Sequence, residues 1–510
     1  MSRRTLLNLA LVLAMLLTVG VSVVSATPTA QEGITYTIKL GDTLWALAEK
    51  YLGSGFAWPA IMSFTNTKNI EDPTFARIEN ADLIHPGWKL YIPSAEEAEE
   101  FLAKWDPAKP ELLFGKRAKG QLVVASWWTA GGEAEGLEGL FSIYREKYPD
   151  VEIVNATIAG GAGFVFRPVL KTRLIAGDPP DTFQLHAGLE VEGYDPETYL
   201  EPLDDLYAAE GWEEVLPPDL LVALKYKGHY WGVPVNIHRS NILWYDKSIF
   251  AEAGLTPPTT WDEFWAVADA LKAKGIVPIV MGTSGGWEAP HVFEDVLAGT
   301  CKAEKYKGLW TGGVQWTDPC VTEALETFKR MLTYVNPDHP ALSWDGAGHY
   351  LIENKGAMMI MGDWTNGWFM AMGYEDYGWA PPPGTKGIFV ALSDTFALPV
   401  KAPNRDNAIA WLKVCGSKDG QIAFNTKKGS IPARTDLTPE DKALFNPYLQ
   451  SCMEDWARDA IVPSPIHGMA AIESWVTDLK DAITLFVTTG DVAATQAALQ
   501  QACVAAGACK

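Results

Sequence analysis

From Leu122 the chain runs Leu-Val-Val-Ala without a polar break and turns at Trp-Trp-Thr-Ala-Gly-Gly-Glu. Leu137, Leu140, Phe141, Tyr144 and Tyr148 then recur at helical spacing before a second apolar run, Val151 to Val154. An unbroken apolar strand, a one-faced helix and another strand make a βαβ unit, the signature of a parallel sheet covered on both faces. Such sheets hold ligands outside the carboxyl ends of their strands, and Trp127, Trp128, Thr129 and Glu133 fall there. GIVPIVMG (275–282) and GAMMIMGDW (356–364) repeat the design of a buried strand ending in Gly plus polar or aromatic residues. Several strands are therefore expected to converge on one cleft. Gly131-Gly132 lacks both the GxGxxG spacing and the Lys-Ser/Thr of a phosphate loop, so its glycines read as a tight turn before a helix.

The N-terminus sets the compartment. Arg3 and Arg4 precede an apolar stretch, Leu6 to Val24, that ends in the small residues Val24-Ser25-Ala26, the pattern of an export signal. The stretch approaches the length that spans a bilayer, so an uncleaved anchor is the alternative. No cysteine follows it to take a lipid. Cleavage after residue 26 removes two arginines and no acid, moving the net charge from −22 to −24. A field of that sign repels nucleic acid and favours a neutral ligand or a protein partner. The six cysteines all lie between Cys301 and Cys509, and export makes disulfides the expectation, with sequence neighbours paired: Cys301–Cys320, Cys415–Cys452 and Cys503–Cys509. No CxxC or HxxxH spacing points to zinc, and no cofactor is expected.

Residues 94–118 are charged, carry two prolines and divide two segments of different character, so they read as a linker with one short helix. Before the linker the pattern is strand, helix, helix, strand: Thr35 to Ile38 alternates, Asp42 or Thr43 caps a helix through Tyr51, and Leu90 to Ile92 closes the unit after Pro86-Gly87. Trp45 and Trp58 are expected in its core. YTIKLGDTLWALAEKYLG, then Trp58, Ile61 and Asn66, then LIHPGWKLYIP resemble a LysM module over 34–93. The resemblance implies a βααβ fold that binds N-acetylglucosamine-containing glycans such as peptidoglycan, with Gly41, Asp42, Thr43, Asn66, Ile84 and Pro86 as contact positions. Extra residues between Asn66 and Ile84 depart from the module's pattern, in the part that helps to form its groove.

Beyond the linker, SWWTAGGEAEGL, PPDTFQLHAG, NILWYDKSIFAEAGLTPPTTWDEF, KGAMMIMGDW and LSDTFALPVKAPNRDNAIAWLKV are together similar to the extracellular solute-binding proteins of carbohydrate ABC importers. The Trp-Trp start and the Gln-x-His pair most resemble the glucose and mannose receptors. The resemblance implies an α/β, two-lobed periplasmic-binding-protein-like fold (type II) over 119–510, closing on sugar by hinge motion. One lobe is expected from 119–240 with 385–430, the other from 245–380 with 435–510.

A monosaccharide presents hydroxyls around its edge and weakly apolar C–H faces. Its site therefore needs flat aromatic surfaces plus donors and acceptors that replace water. With 21 tryptophans most must be core, but Trp127, Trp128, Trp344 and Trp364 sit beside glycine or polar turn residues at cleft positions. Carboxylates accept charge-assisted hydrogen bonds, while amides and imidazoles both donate and accept. Glu133, Gln184, His186 and Asp363 meet that need, and the resemblance adds Asp394, Lys428 and His467.

The expected function is a monomeric, exported receptor at the periplasm, cell wall or outer face. It would deliver a neutral monosaccharide or small oligosaccharide to an ABC importer permease and be tethered to peptidoglycan through LysM. The alternatives are a LysM-bearing wall glycan hydrolase, which needs two carboxyls about 5–9.5 Å apart, or a sugar sensor without transport. No HExxH, GxSxG or reactive Cys/His signature supports the enzyme.

Overall fold

In the computed structural model the described residues are 33–105, other than 40, 73, 77, 79, 80, 82 and 83, and 120–509, other than 160–162. The expected signal segment, 1–26, lies outside them. The chain divides into two compact units, Met1–Arg117 and Ala118–Lys510. Among the described residues no helix is long and apolar enough to cross a membrane.

In the small unit, β1 (Ile34–Thr37) pairs antiparallel with β2 (Lys89–Ile92), and α1 (Leu44–Leu52) and α2 (Trp58–Glu71) lie between them in sequence. Thr43 Oγ1 accepts from Ala46 N at 3.0 Å and is the cap of α1. Asp42 instead accepts from Tyr36 Oη and Lys39 N, at 2.8 and 2.7 Å. Leu44, Leu47 and Ala48 form the buried stripe of α1. Trp45, expected in the core, lies about 100° off that stripe. It is 44 % exposed, its ring lying over Gly55 and edge-on against Phe56, itself 74 % exposed. Trp58 is half-buried against Trp105.

The expected linker begins as structure. Ser94 and Glu97 form a reciprocal capping box on α3 (Ala95–Lys104), and Phe101, Leu102 and Trp105 pack onto the small unit's core. Residues 106–118 lie outside the described residues.

Among the described residues the large unit has three sheets of three or more strands, besides a two-stranded hairpin at 225–230. Its elements run β3 (Gly120–Ala125), α4 (Gly131–Lys147), β4 (Val151–Asn155), α5 (Phe166–Ala176), β5 (Thr182–His186), β6 (Val233–Pro234), β7 (His238–Arg239), β8 (Leu243–Asp246) and β9 (Val277–Val280). They continue as α6 (Glu288–Thr311, kinked at Lys302), α7 (Trp344–Ile352), β10 (Gly356–Ile360), α8 (Trp364–Ala371), β11 (Tyr377–Ala380), β12 (Ile388–Leu392) and β13 (Asp394–Ala397). Later elements include α9 (Arg405–Gly416), α10 (Lys418–Lys428), α11 (Pro447–Arg458), β14 (Ala460–Pro463), α12 (Glu473–Thr489) and α13 (Val492–Ala505).

The first lobe's sheet has the order β4-β3-β5-β13-β6, with β3, β4 and β5 parallel and β13 returning antiparallel from late in the chain. The second lobe's sheet has the order β9-β10-β8-β11. Between them runs a short sheet, β14-β12-β7, whose strands lead from one lobe into the other. This is the two-lobed α/β architecture, and the crossing sheet is its hinge. The buried Arg239 of β7 ties the hinge to α11 through Asp455 and donates to Ile388 O of β12.

Disulfides join Cys301 to Cys320 and Cys503 to Cys509, while Cys415 and Cys452 are free and buried. Nearness in sequence fails for the last pair. Cys415 is on α9, which packs on α4 and α10, whereas Cys452 is on α11, whose neighbours Tyr448 and Ser451 meet Trp244 and Trp379 of the second lobe.

Candidate functional site

The carboxyl ends of β3 and β5, the start of β13 and the end of α10 face the starts of α6, α7 and α8 across a cleft holding about 390 Å³ of space between its atoms, open solvent included. Nine of the expected residues line it: Trp127, Trp128, Glu133, His186, Trp344, Trp364, Asp394, Lys428 and His467. Gln184 and Asp363 do not; each stands behind a lining group and holds it.

Gln184 is fully buried. Its Oε1 accepts from Trp127 N at 3.2 Å and its Nε2 donates to Asp394 Oδ1 at 2.8 Å, so one amide fixes both a ring and a carboxylate. Asp363 grips the hinge strand, contacting His238 Nδ1 and accepting from Arg239 N at 2.8 Å.

The polar floor is a chain of paired charges. Asp394 Oδ2 meets Asn236 Nδ2 at 2.9 Å and His238 Nε2 at 3.1 Å, and Oδ1 lies 3.7 Å from His186 Nε2. Burial alone would raise its pKa, but the hydrogen bond and charge of His238 hold the carboxyl well below the usual range. For His238 burial pulls downward, and the charge of Asp363 together with hydrogen bonds to Asp363 and Asp394 outweighs it, so its pKa is raised. His186 Nδ1 is 2.6 Å from Glu190 Oε2, which also meets Arg167 at 2.8 Å. Lys428 Nζ donates to Glu133 Oε1 at 2.9 Å and sits 5.7 Å from the centre of the Trp128 ring.

His467 contacts another imidazole, His291, at 3.2 Å. Burial lowers both, His291 to about 3, so the pair is neutral at neutral pH.

Aromatic rings make the walls. Trp364 packs edge-on against Trp287 at 6.0 Å and His467 at 5.2 Å, and its indole N–H is buried with no hydrogen-bond partner among the described residues. Trp128 is more core than wall, wedged against Phe396 and Phe424. Trp344, half-buried, packs on Trp368. Three lining residues escaped the sequence reading: His238, Trp287 and Leu392. Trp287 follows Gly285-Gly286 and precedes α6, the glycine-then-tryptophan signal that singled out other positions. No comparable signal marks His238 or Leu392.

On the small unit, Gly41, Thr43 and Pro86 are exposed, and Asp42 and Ile84 are half-buried. Asn66 is buried, its amide spent on both backbone groups of Ile78, at 2.8 and 2.7 Å, which places it inside the fold rather than on a glycan-facing surface.

The pattern described as bacterial extracellular solute-binding protein matches residues 120–422, and that of the LysM domain matches 36–93. An uncharacterized ABC transporter extracellular-binding protein of Pyrococcus horikoshii is 37 % identical over 379 residues, 73 % of this chain and 85 % of that one. A probable sugar-binding periplasmic protein of Brucella suis is 34 % identical, covering 72 % and 87 %. A xylose/arabinose-binding protein of Haloferax volcanii is 28 % identical, covering 70 % and 78 %. Among solved structures, the bacterial solute receptor AcbH, titled for its preference for β-D-galactopyranose, superposes with a TM-score of 0.68 at 19 % identity, covering 76 % of this chain and 99 % of its own.

Proposed function

The chain belongs to the bacterial extracellular solute-binding protein family, and from that premise we propose that it is an exported, monomeric receptor. It captures a neutral monosaccharide of the glucose, mannose or galactose kind and passes it to an ABC importer. One observation carries the reading: tryptophan faces at 127, 287, 344 and 364 surround a floor of carboxylate, imidazole and ammonium groups. A hexose needs that pairing, stacking on its C–H faces and satisfied hydrogen bonds at its rim. Asp394 and Glu133 accept hydrogen bonds from hydroxyls, Lys428 donates, and His186, His238 and His467 supply mixed donors and acceptors. Gln184 and Asp363 act through the residues they hold. Sugar names among the relatives point the same way.

Outward the cleft widens past Thr129, Ser343, Asp345 and Glu288. That compartment favours a second reading, in which a disaccharide leaves its outer unit there.

The small unit, in this proposal, tethers the receptor to peptidoglycan in place of a lipid anchor. Export relies on residues 1–26.

The deciding experiment is calorimetry and thermal unfolding of the full chain against a panel of neutral mono- and disaccharides. A ligand bound only by the folded state stabilises it by about 2.7 kcal/mol at roughly 100 times its Kd. Heat and a raised melting temperature with one sugar, without release of reducing ends, support a receptor. No response to any sugar sinks the reading, and turnover revives the hydrolase. Sedimentation of the full chain with isolated peptidoglycan tests the tether, and free chain in the supernatant rejects it.

A further inference from the structure

Helix α8 belongs to the second lobe, yet it packs directly against α4 and α10 of the first. The approach is close because glycines stand where backbones meet. A Cβ on Gly367, in α8, would lie 2.3 Å from Lys428 O and 2.7 Å from Lys427 O. One on Gly429, at φ +91°, would lie 2.4 Å from Gly367 N and 2.7 Å from Asp363 O. One on Gly132 would lie 2.5 Å from Lys427 O and 2.7 Å from the carbonyl carbon of Gly367. Every one of these obstacles is backbone, which cannot rotate aside as a side chain can.

Gly367 differs from Gly132, whose nearest obstacle, Lys427 O, lies in its own lobe, and from Gly429, whose positive φ strains any side chain whatever the space. The three atoms nearest the absent Cβ of Gly367 all belong to the first lobe, so the conflict created there is one between lobes alone. Within its own helix alanine would be an improvement, because glycine loses the most backbone freedom in a helix. The seam also adjoins the site: Asp363 and Trp364 begin the same helix turn, and Lys428 and Glu133 flank the glycines on the other side.

We propose that Gly367, seated against Gly132 and Gly429, is the residue that lets the cleft shut, and that it sets ligand retention without touching ligand. A methyl group at 367 leaves each lobe intact and wedges them apart. The closed population falls, and apparent affinity falls with it. The role rests on the receptor reading, but its test need not.

A second interlobe contact reports closure independently. The Lys171 ammonium of α5 touches the Glu473 carboxylate at the start of α12. A carbodiimide joins such a touching pair as an amide, with water transferred to the reagent to give its urea, and peptide mass spectrometry counts the product. In full-length chain without sugar, Gly367→Ala is expected to lower the Lys171–Glu473 crosslink at least fivefold, with the circular dichroism spectrum unchanged. Whichever of D-glucose, D-mannose or D-galactose raises the wild-type yield should bind Gly367→Ala at least tenfold more weakly.

Equal crosslinking in both chains overturns the proposal. So does a variant that fails to fold, because the conflict would then lie within a lobe, and so does a wild type that never crosslinks. Loss of the crosslink in the variant while no sugar alters the wild type upholds the seam and rejects the sugar reading.

Discussion

Two histidine pairings meet in the cleft with their pKa values displaced in opposite directions. His238 and His291 are equally buried, at 1 % and 0 % exposure, so burial cannot account for the difference. His238 lies on the hinge strand between Asp363 and Asp394, and the charge of Asp363 with the hydrogen bonds to both carboxylates carries its pKa above the ordinary value against burial. Among the described residues the His291 ring has only His467 and Ser240 within hydrogen-bond reach, and burial drives it down to about 3. Asp295 lies 4.0 Å from it, but burial raises that carboxyl well above its usual range, so it supplies no counter-charge. The contrast teaches that a buried imidazole takes its charge from whether a neighbouring carboxylate can stay ionised. Asp394 can because Gln184 and Asn236 also donate to it, and both Asp295 oxygens lack such donors among the described residues.

The most severe way to break the contrast is Asp394→Ala. It takes from His238 one of its two carboxylate partners and from the Gln184 amide its acceptor, and removing one member of a buried pair costs about 3–5 kcal/mol. Urea unfolding should show that loss, and calorimetry should show sugar affinity weakened by more than about 100-fold, the equivalent of roughly 3 kcal/mol. Stability and affinity within a few-fold of the parent would mean that the floor is not a charged network.

Next in size is the acid limb. Unfolded His291 titrates near 6.5 and folded His291 near 3. Between those values the unfolded chain binds the extra proton, and stability falls as pH drops, by about 3–4 kcal/mol over the window. His238 works in the other direction. Its raised pKa contributes stability that is full below 6.5 and lost as pH rises through the folded value. In parallel urea titrations His291→Asn should flatten the acid slope and His238→Asn the alkaline one. Identical profiles in the two variants would erase the distinction between the pairs.

The sequence made part of this legible. Strand ends expose themselves through composition, so Trp127 and Glu133 after β3, His186 at the end of β5 and Trp364 after β10 could be placed on the cleft before any coordinates. Depth along a strand could not be read. Gln184 shares a face of β5 with His186 but lies two residues inward, roughly 6–7 Å deeper, and becomes a support. The hinge sheet was opaque for another reason. Its strands come from 238–239, 388–392 and 460–463, one of them only two residues long. No periodicity marks so short a strand, and His238 and Leu392 were missed with it.

A smaller effect probes the neutral side from the carboxyl that faces the other way. On α6, one turn from His291, Glu294 accepts from Ser464 Oγ at 3.0 Å and Ile466 N at 3.3 Å, holding the segment that carries His467 into the cleft. Burial pushes its carboxyl up to about 8. The folded state therefore keeps a proton that the unfolded state gives up near 4.5, and stability is lost as pH climbs from 4.5 to 8. Glu294→Gln retains an acceptor for both donors and cannot ionise, but its new amide sits where Oε1 has no partner among the described residues. That unmet donor offsets much of the gain. Unfolding at pH 5 should place the variant about 1–2 kcal/mol below the parent, and at pH 8 about 2 kcal/mol above it. Sugar affinity should not change, because the loop bearing His467 keeps both of its anchors. A variant less stable at pH 8 than its parent would mean that Glu294 is ionised in the fold, and the neutral cluster would then be a charged one like its counterpart on the hinge.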